Sequence, residues 1–187
     1  MGIEVDSADP FIILNTIEQN YENGIVTVSK RDIRCDGLIK LNKIMKNKDN
    51  GVICAGRKNF TKIHKNISIS SNRRAGIKLI EEAHCSIFRN KVHYNFGQGI
   101  LLVDGTSGHI EGNNIYTNYK ANIAFGGENS GDIVIYKNTI NQSRSEGIFA
   151  ISAGFSFIYD NVIGDNNDGI VLYDSNCHLF NNFVKDN

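Results

Sequence analysis

The chain has 187 residues and sets 20 Lys plus Arg against 20 Asp plus Glu, a formal net charge of zero. That balance leaves no basic excess to displace counterions from a phosphate backbone, so nucleic acid is not an expected partner. With 18 Gly, one Pro and no Trp, the glycines spread evenly instead of gathering in linkers, the composition points to one repetitive domain over 1–187.

The repeat reads apolar, two residues, Asn, one residue, apolar, two residues, Asn, and then, about four residues on, Gly-Ile. Copies begin near Ile12, Ile39, Ile63, Ile87, Ile110, Ile135, Ile158 and Leu179, with spacings from 21 (Leu179 after Ile158) to 27 (Ile39 after Ile12). The first Asn is present in every copy: Asn15, Asn42, Asn66, Asn90, Asn113, Asn138, Asn161 and Asn182. The second appears as Asn20, Asn47, Asn72, Asn95, Asn118, Asn166 and Asn187, with Ser143 in the remaining slot. Gly-Ile then recurs at Gly24-Ile25, Gly51-Val52, Gly76-Ile77, Gly99-Ile100, Gly147-Ile148 and Gly169-Ile170, and Asn122-Ile123 takes the same place once. Gly and Asn enter positive-φ conformations at least cost, so this position is expected to be a sharp backbone bend.

Apolar residues alternate over four or five positions and then meet Gly, Asn or Ser, which predicts short strands and excludes helices. One coil cannot bury its apolar face alone; stacked coils, about 4.8 Å apart, can. The expected fold is all-β, a right-handed parallel β-helix solenoid of about eight coils with three short strands each. Stacking in register puts Ile25, Val52, Ile77, Ile100, Ile123, Ile148 and Ile170 in one aliphatic column, and the asparagines in ladders whose amides satisfy one another.

With these motifs, Gly-Ile followed by Ile-x-x-Asn-x-Ile-x-x-Asn, the chain resembles the parallel β-helix repeat family, pectin lyase-like or carbohydrate-binding/sugar-hydrolase repeats. Ala8 to Asn15 and Gly76 to Ile80 are most similar to the eukaryotic branch of F-box only proteins and SHC SH2-domain-binding proteins. The resemblance to that branch implies a protein-interaction module without chemistry, and an adaptor role in ubiquitin ligation or at the cytoskeleton as a second alternative. Resemblance to the wider family implies the first alternative, carbohydrate binding or polysaccharide cleavage, with a glycan as partner.

Strict alternation along the Gly-Ile strand places Val26, Val28, Ile53, Ile80, Leu101, Val103, Phe149, Ile151, Val171 and Tyr173 on its outer face. This apolar strip is the expected interface with other proteins of a larger assembly, and Lys78 is its one charge. The chain enters its first repeat by Phe11 and stops within one at Asn187, leaving ends for a partner to cover. Beyond the strip lies an acidic edge, Glu81, Glu82, Asp104 and Glu128, from three successive coils, a weaker candidate for calcium or sugar. The histidines His64, His84, His93, His109 and His178 share no column, and Cys35, Cys54, Cys85 and Cys177 have no CxxC spacing, so neither a metal nor another cofactor is expected. No apolar run approaches the ~20 residues of a membrane span, and Met1–Ser7 lacks the basic and apolar regions of a signal peptide. The expectation is therefore a non-catalytic scaffold subunit, cytoplasmic or associated with the cytoskeleton, without membrane contact.

Overall fold

The computed structural model describes residues 1–127 and 131–187. Every described regular element is a strand, and the strands form three eight-stranded parallel sheets, each chain turn contributing one strand to each sheet in rotation. The first sheet holds the Gly-Ile strands, such as Ile77–Ile80 and Ile100–Leu102; the second holds His84–Phe88 and Ser107–Glu111, and the third Lys91–His93 and Asn114–Tyr116. Register is like on like: Ile77 pairs with Val52 and Ile100, Ile87 with Ile63 and Ile110, and Ile115 with Val92 and Ile140. Ile77, Ile87 and Ile115 are completely buried, each between identical or near-identical neighbours one coil away. Repetition therefore delivers close packing without a different solution for each layer.

The first coil begins earlier than Phe11. Ile3–Asp6 is already a first-sheet strand, with Ile3 against Ile25 and Val5 against Thr27. Gly2-Ile3 is thus a further copy of the Gly-Ile signal that the spacing from Ile12 concealed.

Both asparagine ladders form. In the first, the Asn90 amide donates Nδ2–H to Asn113 Oδ1 at 3.1 Å and to the Ile63 carbonyl at 2.8 Å, while its Oδ1 accepts from the Asn66 backbone and side chain at 3.0 and 2.9 Å. The second repeats this from Asn20 through Asn118. The bend is displaced from its expected position. Gly24, Gly51, Gly76, Gly99 and Gly147 are not left-handed; positive φ falls on the residue before each ladder asparagine, among them Arg89 (58°), Tyr94 (54°) and Thr117 (54°). The glycines serve a different need, because a Cβ at Gly99 would meet the Asn122 carbonyl oxygen at 2.5 Å and Asn118 Nδ2 at 2.7 Å. Close approach of coils, and not backbone sign, selects glycine there.

Candidate functional site

The outer face of the first sheet is ribbed, with each side chain flanked by those of the neighbouring coils. Val26 sits between Glu4 and Ile53, and Leu101 between Lys78 and Ala124. At this spacing the side chains cover one another's flanks: Val26 is buried, and Val28, Ile53, Ile80, Leu101, Val103, Phe149 and Val171 are half-buried. Ile151 and Tyr173 stand clear, at 42% and 66% exposure. The one apolar hollow on this face, among the described clefts, is about 330 Å³ and lies over Ala124 and Gly126 between Leu101, Val103, Phe149 and Ile151.

Glu81, Glu82 and Asp104 are exposed turn residues in left-handed conformations, with φ of 55°, 59° and 58°. Their contact is through backbone, the Glu82 N–H donating to the Asp104 carbonyl at 2.8 Å. Glu128 lies outside the described residues. Among the described residues no three His, Cys, Asp or Glu side chains come together as a metal site.

Four of the five histidines, His64, His84, His93 and His178, are packed against rings. His64 stacks on Phe88 at 4.1 Å, and His93 lies flat on Tyr116 at 4.8 Å with Tyr94 edge-on at 5.3 Å. Burial pushes both imidazoles below the ordinary histidine range, with nearby cations adding to it, so they are neutral at pH 7. His93 Nε2 lies 3.2 Å from Ser68 Oγ, which is 2.8 Å from Ser70 Oγ. That trio has the look of an activated serine, but His93 Nδ1 is buried without a partner. An unpaired lone pair is cheaper to bury than an unpaired N–H, so the proton sits on Nε2 and is donated to Ser68. His93 in this tautomer cannot take the serine proton.

The feature that the sheet faces did not reveal is the turn from the third sheet to the first. The residue after each second ladder position points outward, and along the rod, before Asn167, these are Tyr21, Lys48, Arg73, Phe96, Tyr119 and Arg144. The row is made of aromatic rings and cations, three of each: Lys48 Nζ sits 3.8 Å from the Tyr21 ring centre, and the Arg144 guanidinium 5.2 Å from that of Tyr119. Such contacts steady flexible cations without neutralising them. Beside this row a cleft of about 360 Å³ is lined by Arg73, Arg74, Lys78, Phe96, Leu101 and Lys120, with Gly97 at its floor. A Cβ at Gly97 would meet the Arg74 carbonyl carbon at 2.7 Å, so only glycine lets the two coils close this floor. Arg74 is paired with Asp49 at 3.1 Å. Arg73, Lys78 and Lys120 have no carboxylate partner among the described residues. Phe96, 63% exposed, divides this cleft from a second hollow of about 330 Å³ lined by Tyr94, Thr117, Tyr119 and Arg144. Uncompensated cations around exposed rings suit an anionic ligand that also offers apolar C–H surface. This mixed row was readable as a column in the sequence, one place beyond the second asparagines.

The family model for a right handed beta helix region matches residues 50–187. The chain belongs to the right-handed β-helix family. No curated protein matches it by sequence. Among solved structures it is similar to the Azotobacter vinelandii mannuronan C-5 epimerase AlgE4 A-module, at 17% identity and a TM-score of 0.76 over 100% of this chain and 54% of that one. It is also similar to the periplasmic alginate epimerase AlgG, at 18% identity and a TM-score of 0.86 over 98% of this chain and 47% of that one. A third likeness is to the Azotobacter vinelandii mannuronan C-5 epimerase AlgE6 A-module, at 12% identity and a TM-score of 0.55, over 92% and 60% of the two chains. The chain spans about half the length of the first two. At these identities the likeness shows the β-helix fold, and it neither carries nor opposes the F-box and SHC-binding branch. The scaffold expectation is corrected: the structural neighbours are carbohydrate-modifying enzymes, and the apolar strip it rested on is largely covered by its own ribs.

Proposed function

We propose that this β-helix is a carbohydrate-active module that takes an anionic polysaccharide, a uronate polymer, in the cleft of Arg73, Lys78, Phe96 and Lys120. The observation that carries this reading is the convergence of three unpaired cations and an exposed ring on one cleft in a chain whose net charge is zero. Each carboxylate brought against Arg73 or Lys120 gains a charge-assisted hydrogen bond in a half-enclosed site, and Phe96 covers the apolar C–H face of the sugar. The names of the structural neighbours, alginate and mannuronan epimerases, support the same substrate class. A cation on a uronate carboxylate also acidifies the C–H beside it, so the cleft suits chemistry at that carbon as well as binding; Tyr94 and Tyr119, in the adjoining hollow, bring phenols beside it.

The test is calorimetric titration with polymannuronate and with a neutral glucan, followed by proton NMR of the polymer after prolonged incubation. Polymannuronate is expected to bind and the glucan not. Arg73→Ala with Lys120→Ala is expected to weaken binding at least tenfold, about 1.4 kcal/mol, at unchanged melting temperature. Equal affinity for both polymers, or indifference to the double substitution, would overturn the reading; an NMR spectrum altered at the sugar ring would extend it from binding to catalysis.

A further inference from the structure

We infer that a second site, on the outer face of the second sheet, hydrolyses neutral short-chain carboxylic esters, with Ser107 as the nucleophile and His84 as its base. It lies on a different sheet from the uronate cleft and stands independently of it.

Register builds the site. The strands His84–Phe88 and Ser107–Glu111 pair His84 with Ser107 and Ser86 with His109. Alternation turns all four of these side chains outward, while Cys85, Ile87 and Ile110 are buried in the core. Each coil thus offers one histidine and one serine, in opposite order, with neighbours about 4.8 Å apart across the strands and about 6.6 Å apart along them. The two histidines fall on the diagonal of this block, and so share no column.

Within the block His84 Nδ1 and Ser107 Oγ are hydrogen-bonded. His84 differs from His93 in having no buried nitrogen left without a partner among the described residues. Nothing therefore fixes its proton on Nδ1, and Nδ1 is free to accept from the Ser107 hydroxyl. The imidazole is also held in place: its ring lies on Phe60 at 5.5 Å and 21°, the Arg34 guanidinium sits 4.3 Å from the Phe60 ring centre, and the His84 N–H donates to the Asn59 carbonyl at 2.8 Å. A serine beside a histidine that is itself oriented by a third group is the arrangement of an activated nucleophile. The pair opens on a cleft of about 450 Å³ lined also by Ser86, His109, Gly131 and Asp132. A Cβ at Gly131 would meet Ser107 Cβ at 2.8 Å, so glycine there leaves the serine uncovered.

The chemistry follows from the groups present. Ser107 Oγ bonds to the ester carbonyl carbon as its proton passes to His84 Nδ1; the carbon–alkoxy bond then breaks, and His84 returns the proton to the departing alcohol. Water repeats the sequence on the acyl-serine and releases the carboxylic acid. Backbone amides are spent in the sheet, the Ser107 N–H on the Ala83 carbonyl at 3.1 Å and the Gly108 N–H on the Asp132 carbonyl at 3.3 Å. The oxyanion must therefore be met by a side chain, and the His109 imidazole, two residues along the strand, is placed for it. Asp132 stands exposed on the side of Ser107 away from His84. Its carboxylate disfavours acyl groups that carry a negative charge, which selects neutral ones.

The experiment measures release of 4-nitrophenolate by the full chain from 4-nitrophenyl acetate and from 4-nitrophenyl hemisuccinate, with phenylmethanesulfonyl fluoride as a covalent probe mapped by mass spectrometry. The acetate is expected to turn over at least tenfold faster than the hemisuccinate, and the sulfonyl group to be found on Ser107. Ser107→Ala is expected to lose about a hundredfold or more of the rate, and so is His84→Gln, which keeps a hydrogen-bonding partner for Ser107 but removes the base. Both variants are expected to keep the parent's melting temperature and its affinity for polymannuronate. Hydrolysis unchanged in either variant, no adduct on Ser107 of the parent, or equal rates on the two esters would overturn this assignment while leaving the uronate reading as it stands.

Discussion

Two junctions between coils, one regular and one inverted, set the same problem and solve it differently. In the regular junction Gly99 faces Asn118, whose amide needs the room that a Cβ would fill at 2.7 Å; Gly24 faces Asn47 and Gly76 faces Asn95 in the same way. At the junction above, Asn122 stands in the glycine column and Ser143 in the asparagine column. Ser143 is too short to bridge the ladder, and Asn122 bridges it instead: its Oδ1 accepts from Asn118 Nδ2 at 2.8 Å, and its Nδ2–H reaches Asn166 Oδ1 at 3.2 Å and the Asn141 carbonyl at 2.8 Å. The ladder thus requires an amide at a place in space and not at a place in the sequence. Two departures from the repeat, read separately as a turn residue and a gap, are one compensated exchange.

The largest effect should come from removing an amide where nothing can replace it. Asn90→Leu would strip partners from the Ile63 carbonyl, the Asn66 N–H and both neighbouring ladder amides. Buried groups left unpaired cost about 1–3 kcal/mol each, and some relax, so a loss of about 3 kcal/mol or more is expected in urea unfolding. A change below about 1 kcal/mol would mean that the ladder is decoration on a core held by its isoleucines.

A smaller cost follows from crowding a regular junction. Gly99→Ala places a methyl against the Asn122 carbonyl and the Asn118 amide, neither of which is a free-swinging end, and should cost about 2–3 kcal/mol. The inverted junction then gives the sharper experiment. Ser143→Asn alone forces two amides into one space and Asn122→Gly alone leaves a gap in the ladder, each costing about 1–2 kcal/mol. Together they rebuild the regular pair, so the double variant should return to within about 0.5 kcal/mol of the parent. Additive losses would separate the two positions and refute the exchange.

The same contrast explains what was legible in the sequence. Columns that repeat without change, such as Ile77–Ile100–Ile123 and Asn66–Asn90–Asn113, announce themselves by self-similarity, and the β-helix, its three sheets and its ladders follow from them. Gly2-Ile3 escaped because no earlier coil frames it. The role of Gly99 was misassigned because glycine answers two demands, positive φ and close approach, that look alike in a sequence. The candidate cleft escaped for the opposite reason: Arg73, Phe96, Tyr119 and Arg144 occupy one column but keep no residue type from one coil to the next, and a search for likeness passes over a column whose content is variety. Uniform columns hold this fold together; the varied one beside them is where a ligand could be distinguished.

The smallest expected effect concerns His93, which the varied surface borders. Its ring is kept neutral first by burial against Tyr116 and Tyr94 and second by the charge of Lys91, with Ser68 its one hydrogen-bond partner. In the unfolded chain the same imidazole titrates near its ordinary value of about 6.5. Above that pH both states are neutral and His93 adds no pH dependence. As the pH falls through it, the unfolded chain takes up a proton that the folded one refuses, so stability declines until the depressed folded pKa is reached and then levels. His64, buried on Phe88, acts in the same direction. The melting temperature of the parent should therefore fall between pH 7.5 and 5, and the difference between parent and His93→Gln, measured across that range, should shift in favour of the variant as the solution is acidified. A constant difference would show that His93 titrates alike in both states and that its burial carries no electrostatic cost.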